Sequence, residues 1–76
     1  MHNQTLFLYE GKKNATFKLM ELPNINLLES LGVRPGTVVT ILNIYKFGGP
    51  VLLRIGGNYT VALGKDIAKK IKVEKV

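Results

Sequence analysis

The chain has 76 residues, 46% of them hydrophobic and 21% charged, which indicates one small folded domain over residues 1–76 and excludes a disordered chain. It holds no cysteine and a single histidine, His2, so disulfides and thiolate zinc sites are ruled out and the fold must rest on its apolar core, helped at most by a partner or by weak self-association. Eleven lysines and arginines face five acids, for a net charge of +6.

The charge is unevenly placed. Lys12, Lys13 and Lys18 balance Glu10, Glu21 and Glu29, whereas Arg34, Lys46 and Arg54 lie in a stretch without any acid, and five lysines crowd residues 65–76 against Asp66 and Glu74. Such a field favours acidic partners, nucleic acid or anionic headgroups, and serves equally as a solvated surface. No stretch approaches the ~20 apolar residues of a membrane span. The start, Met1 to Thr5, lacks a basic segment and only Leu6–Tyr9 follows as an apolar run, which points to a cytoplasmic protein.

In chain order, Glu10–Asn14 reads as a turn, and Thr16-Phe17-Lys18-Leu19 alternates as a strand, with Leu22 entering the core and Pro23 ending the element. A short helix near Asn24–Leu31 places Leu27, Leu28 and Leu31 on one face. Asn24 is its expected N-cap, and Asn26 with Glu29 satisfies a capping pattern as well. Gly32 suits the left-handed position after the helix, and Pro35 blocks continuation. Thr37–Ile44 is rich in β-branched residues, Lys46–Pro50 connects, and Val51, Leu53 and Ile55 share one face of the next strand. Gly56-Gly57-Asn58 makes a tight hairpin into Tyr59, Val61 and Leu63. Gly64 breaks that strand, Lys65–Lys70 allow one helical turn with Ile67 and Ala68 inward, and Ile71-Lys72-Val73 closes the sheet. The predicted fold is mainly β: a small, partly open SH3-like barrel of five strands with one short inserted helix.

Little in the chain supports catalysis. The acids are scattered singly, and His2 is the one candidate base. Lys46-Phe47-Gly48-Gly49 lacks the lysine and hydroxyl of a phosphate loop, and Gly56-Gly57 sits between strands. The chain is therefore not expected to be an enzyme. His2, Glu10, Glu21, Glu29, Asp66 and Glu74 are the whole supply of strong metal ligands and none are closely paired, so no cofactor or tight metal site is expected. Tyr45-Lys46-Phe47 could stack on bases, but two loop aromatics serve as readily to cover a barrel end, and Phe17 and Tyr59 fall on core faces. Only weak, salt-labile, sequence-indifferent nucleic-acid binding is expected.

Three segments taken together resemble the FeoA family, small cytoplasmic proteins of bacterial ferrous iron transport. Leu28-Glu29-Ser30-Leu31-Gly32-Val33-Arg34-Pro35-Gly36 matches its L-x-x-L-G-[hydrophobic]-x-P-G segment. Gly49-Pro50-Val51 with Leu53 and then Gly56-Gly57 matches its strand and hairpin, and Val61-Ala62-Leu63-Gly64, Ala68 and Ile71-Lys72-Val73 match its ending. The resemblance spans about residues 10–73 and marks Leu28, Leu31, Gly32, Pro35, Gly36, Gly49, Pro50, Gly64 and Ala68 as fold-specifying, with Gly64 and Ala68 leaving space for the last turn against the sheet. Many members carry arginine where this chain has Leu27, and Met1–Tyr9 is longer than the usual start.

The resemblance implies an accessory protein of iron homeostasis, with transition-metal-ion binding as a family-level property, acting at the cytoplasmic face of the FeoB membrane transporter. It also implies kinship with the C-terminal module of DtxR-like metal-dependent repressors, although no DNA-binding helix-turn-helix is present. The surface proposed for a partner consists of Leu27 on the helix, Tyr45 and Phe47 in the loop, and Lys65, Lys69 and Lys70 as a basic rim.

Overall fold

The computed structural model describes residues 5–45, 47–56 and 59–76. Its strands are β1 (Thr5–Phe7), β2 (Thr16–Glu21), β3 (Val38–Ile44), β4 (Val51–Ile55), β5 (Tyr59–Leu63) and β6 (Lys72–Lys75), with helices α1 (Asn26–Ser30) and α2 (Lys65–Ala68) and a 3-10 turn at Leu8–Glu10. Period-two patterning explains most of them. Phe17 and Leu19 of β2, Val39 and Ile41 of β3, Val51, Leu53 and Ile55 of β4, and Val61 and Leu63 of β5 turn inward, while Lys18, Arg54 and Thr60 between them face water. All buried side chains among the described residues are apolar.

The sheet is antiparallel with order β1-β6-β2-β3-β4-β5, six strands where the sequence predicts five. The added strand is Thr5–Phe7, which takes the edge of β6 that β2 leaves free, with Leu6 opposite Val73. Residues 71–73 accordingly do not close the sheet: β6 is an interior strand between β1 and β2. Nor is the barrel closed. Among the described residues no strand pairs β1 with β5; α2 lies against the 3-10 turn, and the Leu8 N–H donates to the Ile71 carbonyl at 2.7 Å. Bulges at Met20 and Leu42, where the pairing register shifts, bend β2 and β3.

The inserted helix is shorter than its leucines suggest. Neither asparagine caps it: Ile25 occupies the N-cap with no side-chain cap bond, and Ile25 itself packs on the core. Chain entry is thus set by apolar contact rather than by an Asn oxygen. Leu28 is buried and Leu31 partly so, but Leu27 faces solvent, because neighbouring helical residues lie ~100° apart and five residues cannot bring both inward. The helix ends in a Schellman motif: the Val33 N–H donates to the Leu28 carbonyl at 2.8 Å and the Gly32 N–H to Glu29 at 3.0 Å, with Gly32 at φ +80°. Pro35 and Gly36 then form a turn in which the Thr37 N–H reaches the Arg34 carbonyl at 3.2 Å, and Gly36 at φ +90° fits its third position.

Two further expectations change. Tyr59 shares a face with Val61 and Leu63 but stands at the strand's end, 45% exposed rather than in the core, and its hydroxyl donates to the Leu31 carbonyl at 2.6 Å. Gly64 does not supply close approach, since its φ of −62° is ordinary and a Cβ there would meet open space. Its carbonyl accepts the first bonds of α2, from Ile67 and Ala68, and of Gly64 and Ala68 only Ala68 is buried. Lys46, and Gly57 and Asn58 of the predicted hairpin, lie outside the described residues.

Candidate partner-binding surface

The strand register sorts the candidate residues onto two ends of the sheet. α1 joins the end of β2 to the start of β3, and at that same end β4 finishes and β5 begins, because Gly56 bonds to Val38 and Tyr59 reaches Leu31. Leu27, 56% exposed, belongs to this end. The loop between β3 and β4 belongs to the other, where Ile44 pairs with Val51 and Val51 with Leu63. The length of β4 separates the two, about 13 Å for four residue steps.

At the loop end, the Tyr45 N–H donates to the Pro50 carbonyl at 3.0 Å and closes the loop. Gly49 lies so near that a Cβ there would stand 2.5 Å from the Tyr45 Cβ. Phe47 sits at φ +64°, uncommon for a bulky residue, with its side chain wholly exposed, and Tyr45 is 49% exposed. The loop holds two aromatic rings out of the core, so they are available for contact. Leu63, next to this end, leads through Gly64 directly into α2. Lys65, Lys69 and Lys70 are all exposed there. Lys65 Nζ stands 5.8 Å from the Tyr9 ring centroid, and Lys69 Nζ lies 3.8 Å from Asp66 Oδ1, an exposed pair worth little in stability. The structure therefore places Tyr45 and Phe47 at the end from which α2 departs, and Leu27 apart from them.

Two grooves escaped the sequence reading. One, of about 260 Å³, runs beside α1 over Leu22, Ile25, Leu28 and Val33, with Glu29 and Arg34 at its rim. The other, of about 270 Å³, has Leu6, Ala15 and Phe17 as its floor and Glu10, Lys12 and Lys75 around it. The only signal for the first is the pair Leu22 and Ile25 around Pro23, apolar residues in a connecting loop; the second needs β1, which the sequence did not reveal. Among the described residues no three metal-ligating side chains gather, and His2 lies outside them. Calorimetric titration with ferrous iron or zinc is therefore expected to show only weak uptake, and a tight 1:1 site would contradict this arrangement.

A model of the FeoA domain matches residues 19–75. Among solved structures, the crystal structure of an iron uptake regulatory protein (FeoA) superposes with a TM-score of 0.85 at 26% identity, covering 96% of this chain and 99% of that one. The solution structure of a FeoA-like protein from Clostridium acetobutylicum gives 0.80 at 26% identity, covering 100% and 91% of the two chains. A manganese-dependent transcriptional repressor gives 0.88 at 18% identity over all of this chain but 44% of its own, a likeness of fold alone. No curated protein matches the chain. The six-stranded antiparallel sheet with its two short helices is thus shared with these FeoA structures and is consistent with an SH3-like fold.

Proposed function

Because the chain belongs to the FeoA domain family, which ties it to ferrous iron transport, we propose that it is a small accessory protein that binds the cytoplasmic portion of a FeoB-type membrane transporter and modulates its activity. The observation that carries this reading is the family match over residues 19–75. The surface chemistry supports it: exposed aromatics, a lysine-bearing helix and grooves with an apolar floor and a charged rim are features of a binding module, and the protein acts by association rather than by catalysis. No helix among the described residues is long and apolar enough to cross a membrane. In this proposal the protein meets the transporter from the cytoplasm as a peripheral partner.

In the proposed complex Phe47, with Tyr45 beside it, anchors in an apolar pocket of the transporter, while Lys65, Lys69 and Lys70 steer the approach. Replacing Phe47 by Ala is expected to weaken the complex about tenfold or more, chiefly through faster dissociation. Removing the three lysines together is expected to slow association several-fold and to flatten its salt dependence. The test is capture of a FeoB-type transporter from solubilised membranes, nucleotide-free and nucleotide-bound, by the wild-type protein and by folded Phe47→Ala and Leu27→Gln variants. Since Leu27 and Phe47 occupy opposite ends, the variant that loses capture identifies the docking end. Failure of the wild-type protein to capture the transporter in either state would overturn the proposal. A sub-micromolar complex with DNA or RNA at ~150 mM salt, lost when Tyr45 and Phe47 lose their rings, would replace it with nucleic-acid binding.

A further inference from the structure

β5 is an outer strand of the sheet: β4 holds one side of it, and among the described residues no strand holds the other. Alternate residues of such a strand direct their N–H and C=O groups away from the sheet, leaving a row of donors and acceptors for water or for another strand. Edge strands of monomeric proteins are commonly blunted by lysine, proline, a bulge or brevity. Tyr59-Thr60-Val61-Ala62-Leu63 has none of these, in a chain with eleven lysines and arginines. Its register with β4 runs unbroken from Ile55↔Tyr59 to Val51↔Leu63, whereas β2 and β3 both carry bulges. The opposite edge, β1, is only three residues long.

We propose that β5 pairs antiparallel with β5 of a second copy of this chain, about a two-fold axis through Val61, joining the two sheets into one. The segment is self-complementary in that register. Tyr59 of one copy faces Leu63 of the other, Thr60 faces Ala62, and Val61 faces itself. The exposed outer-face residues at the seam, Thr60 and Ala62, are small, so they raise no steric barrier. Charge does not oppose the contact either, although each copy carries +6. Arg54, the one cation of β4, lies one strand back from the seam, opposite Thr60. In the pair the two Arg54 residues are three strand spacings apart across the sheet and two residue steps apart along it, about 16 Å, beyond the ~8 Å Debye length of physiological salt. The two Lys65 residues are farther still, each lying beyond Leu63 at opposite ends of the seam.

A seam of five residues per copy buries less than the ~1,200 Å² of a standard stable interface, so the dimer is expected to be weak, with a dissociation constant in the range of about 10–500 μM. None of the residues assigned to the transporter-binding surface lies in β5, so this inference stands or falls apart from that function. The test is sedimentation equilibrium from about 10 μM to about 1 mM, with two charge variants. Thr60→Lys/Ala62→Lys puts like charges opposite each other across the seam and is expected to weaken dimerisation at least tenfold. Thr60→Glu/Ala62→Glu is expected to do the same alone, and an equal mixture of the two is expected to form heterodimers. In the wild-type protein, the β5 amides facing away from β4 are expected to exchange with solvent more slowly as concentration rises, a readout that needs no variant. Wild-type protein that remains monomeric at ~1 mM, or whose β5 amides exchange at a concentration-independent rate, overturns the proposal. So does a dimer that the lysine variant leaves intact.

Discussion

Leu28→Ala is expected to lower the free energy of unfolding by about 2–5 kcal/mol. Leu28 is 2% exposed and is the one fully buried side chain of α1. A five-residue helix has no stability of its own in water, so its position depends on that side chain and on the Schellman bonds that follow it. A small domain holds only about 5–15 kcal/mol in total, and each kcal/mol moves the melting temperature of a domain of this size by roughly 4–8 °C. The variant should therefore melt about 8–40 °C below the parent. Leu27→Ala on the neighbouring, exposed position should stay within ~0.5 kcal/mol. Urea and thermal denaturation of the two variants side by side measure the contrast, and equal melting of both would show that α1 is not seated through Leu28.

Gly32→Ala is the second large effect, and it has two separable parts. At φ +80° an alanine loses about 1–2 kcal/mol to the clash of its Cβ with the backbone. That Cβ would also stand where the Tyr59 hydroxyl now sits, forcing away the group that donates to the Leu31 carbonyl at 2.6 Å. Loss of that bond adds about 0.5–1.5 kcal/mol, for roughly 1.5–3.5 kcal/mol together. In a Tyr59→Phe background the hydroxyl is absent, and Gly32→Ala should lose only the backbone part. A double-mutant cycle by urea denaturation is expected to return a coupling of about 0.5–1.5 kcal/mol. A coupling of zero would mean that the Tyr59–Leu31 contact contributes nothing to stability.

What the sequence revealed, and what it hid, follows from the range of the interactions involved. Val51, Leu53 and Ile55, and Val61 with Leu63, were legible because alternation along a strand is a local property. Gly32 was legible for the same reason, since a helix end is written in its own few residues. Thr5–Phe7 was not, because a three-residue strand has too few positions to show a period, and what makes it a strand is an edge of β6 almost seventy residues away. Tyr59 had the right parity and the wrong depth: alternation assigns a face, but the distance from the centre of the sheet depends on where the hairpin ends. The asparagines near α1 carried a true capping preference that the packing of Ile25 overrode. Among the site residues, exposure of Tyr45, Phe47 and the α2 lysines agreed with their placement in a loop and on a short helix. That Leu27 lies at the other end of the sheet could be known only once the strands were in register.

The interior position of β6 has a consequence for synthesis on the ribosome. Strands β2 to β5 follow one another as neighbours and can pair as soon as they emerge. β1, made first, has no partner until residues 72–75 arrive to lie between it and β2. Until then Leu6 and Phe7 wait without a strand to join, the outer side of β2 is open, and Val73, which is fully buried in the finished fold, is missing from it. The nascent chain is thus expected to remain protease-sensitive at its N-terminal segment until the last strand clears the exit tunnel, and only then to lock both ends of the domain in one step.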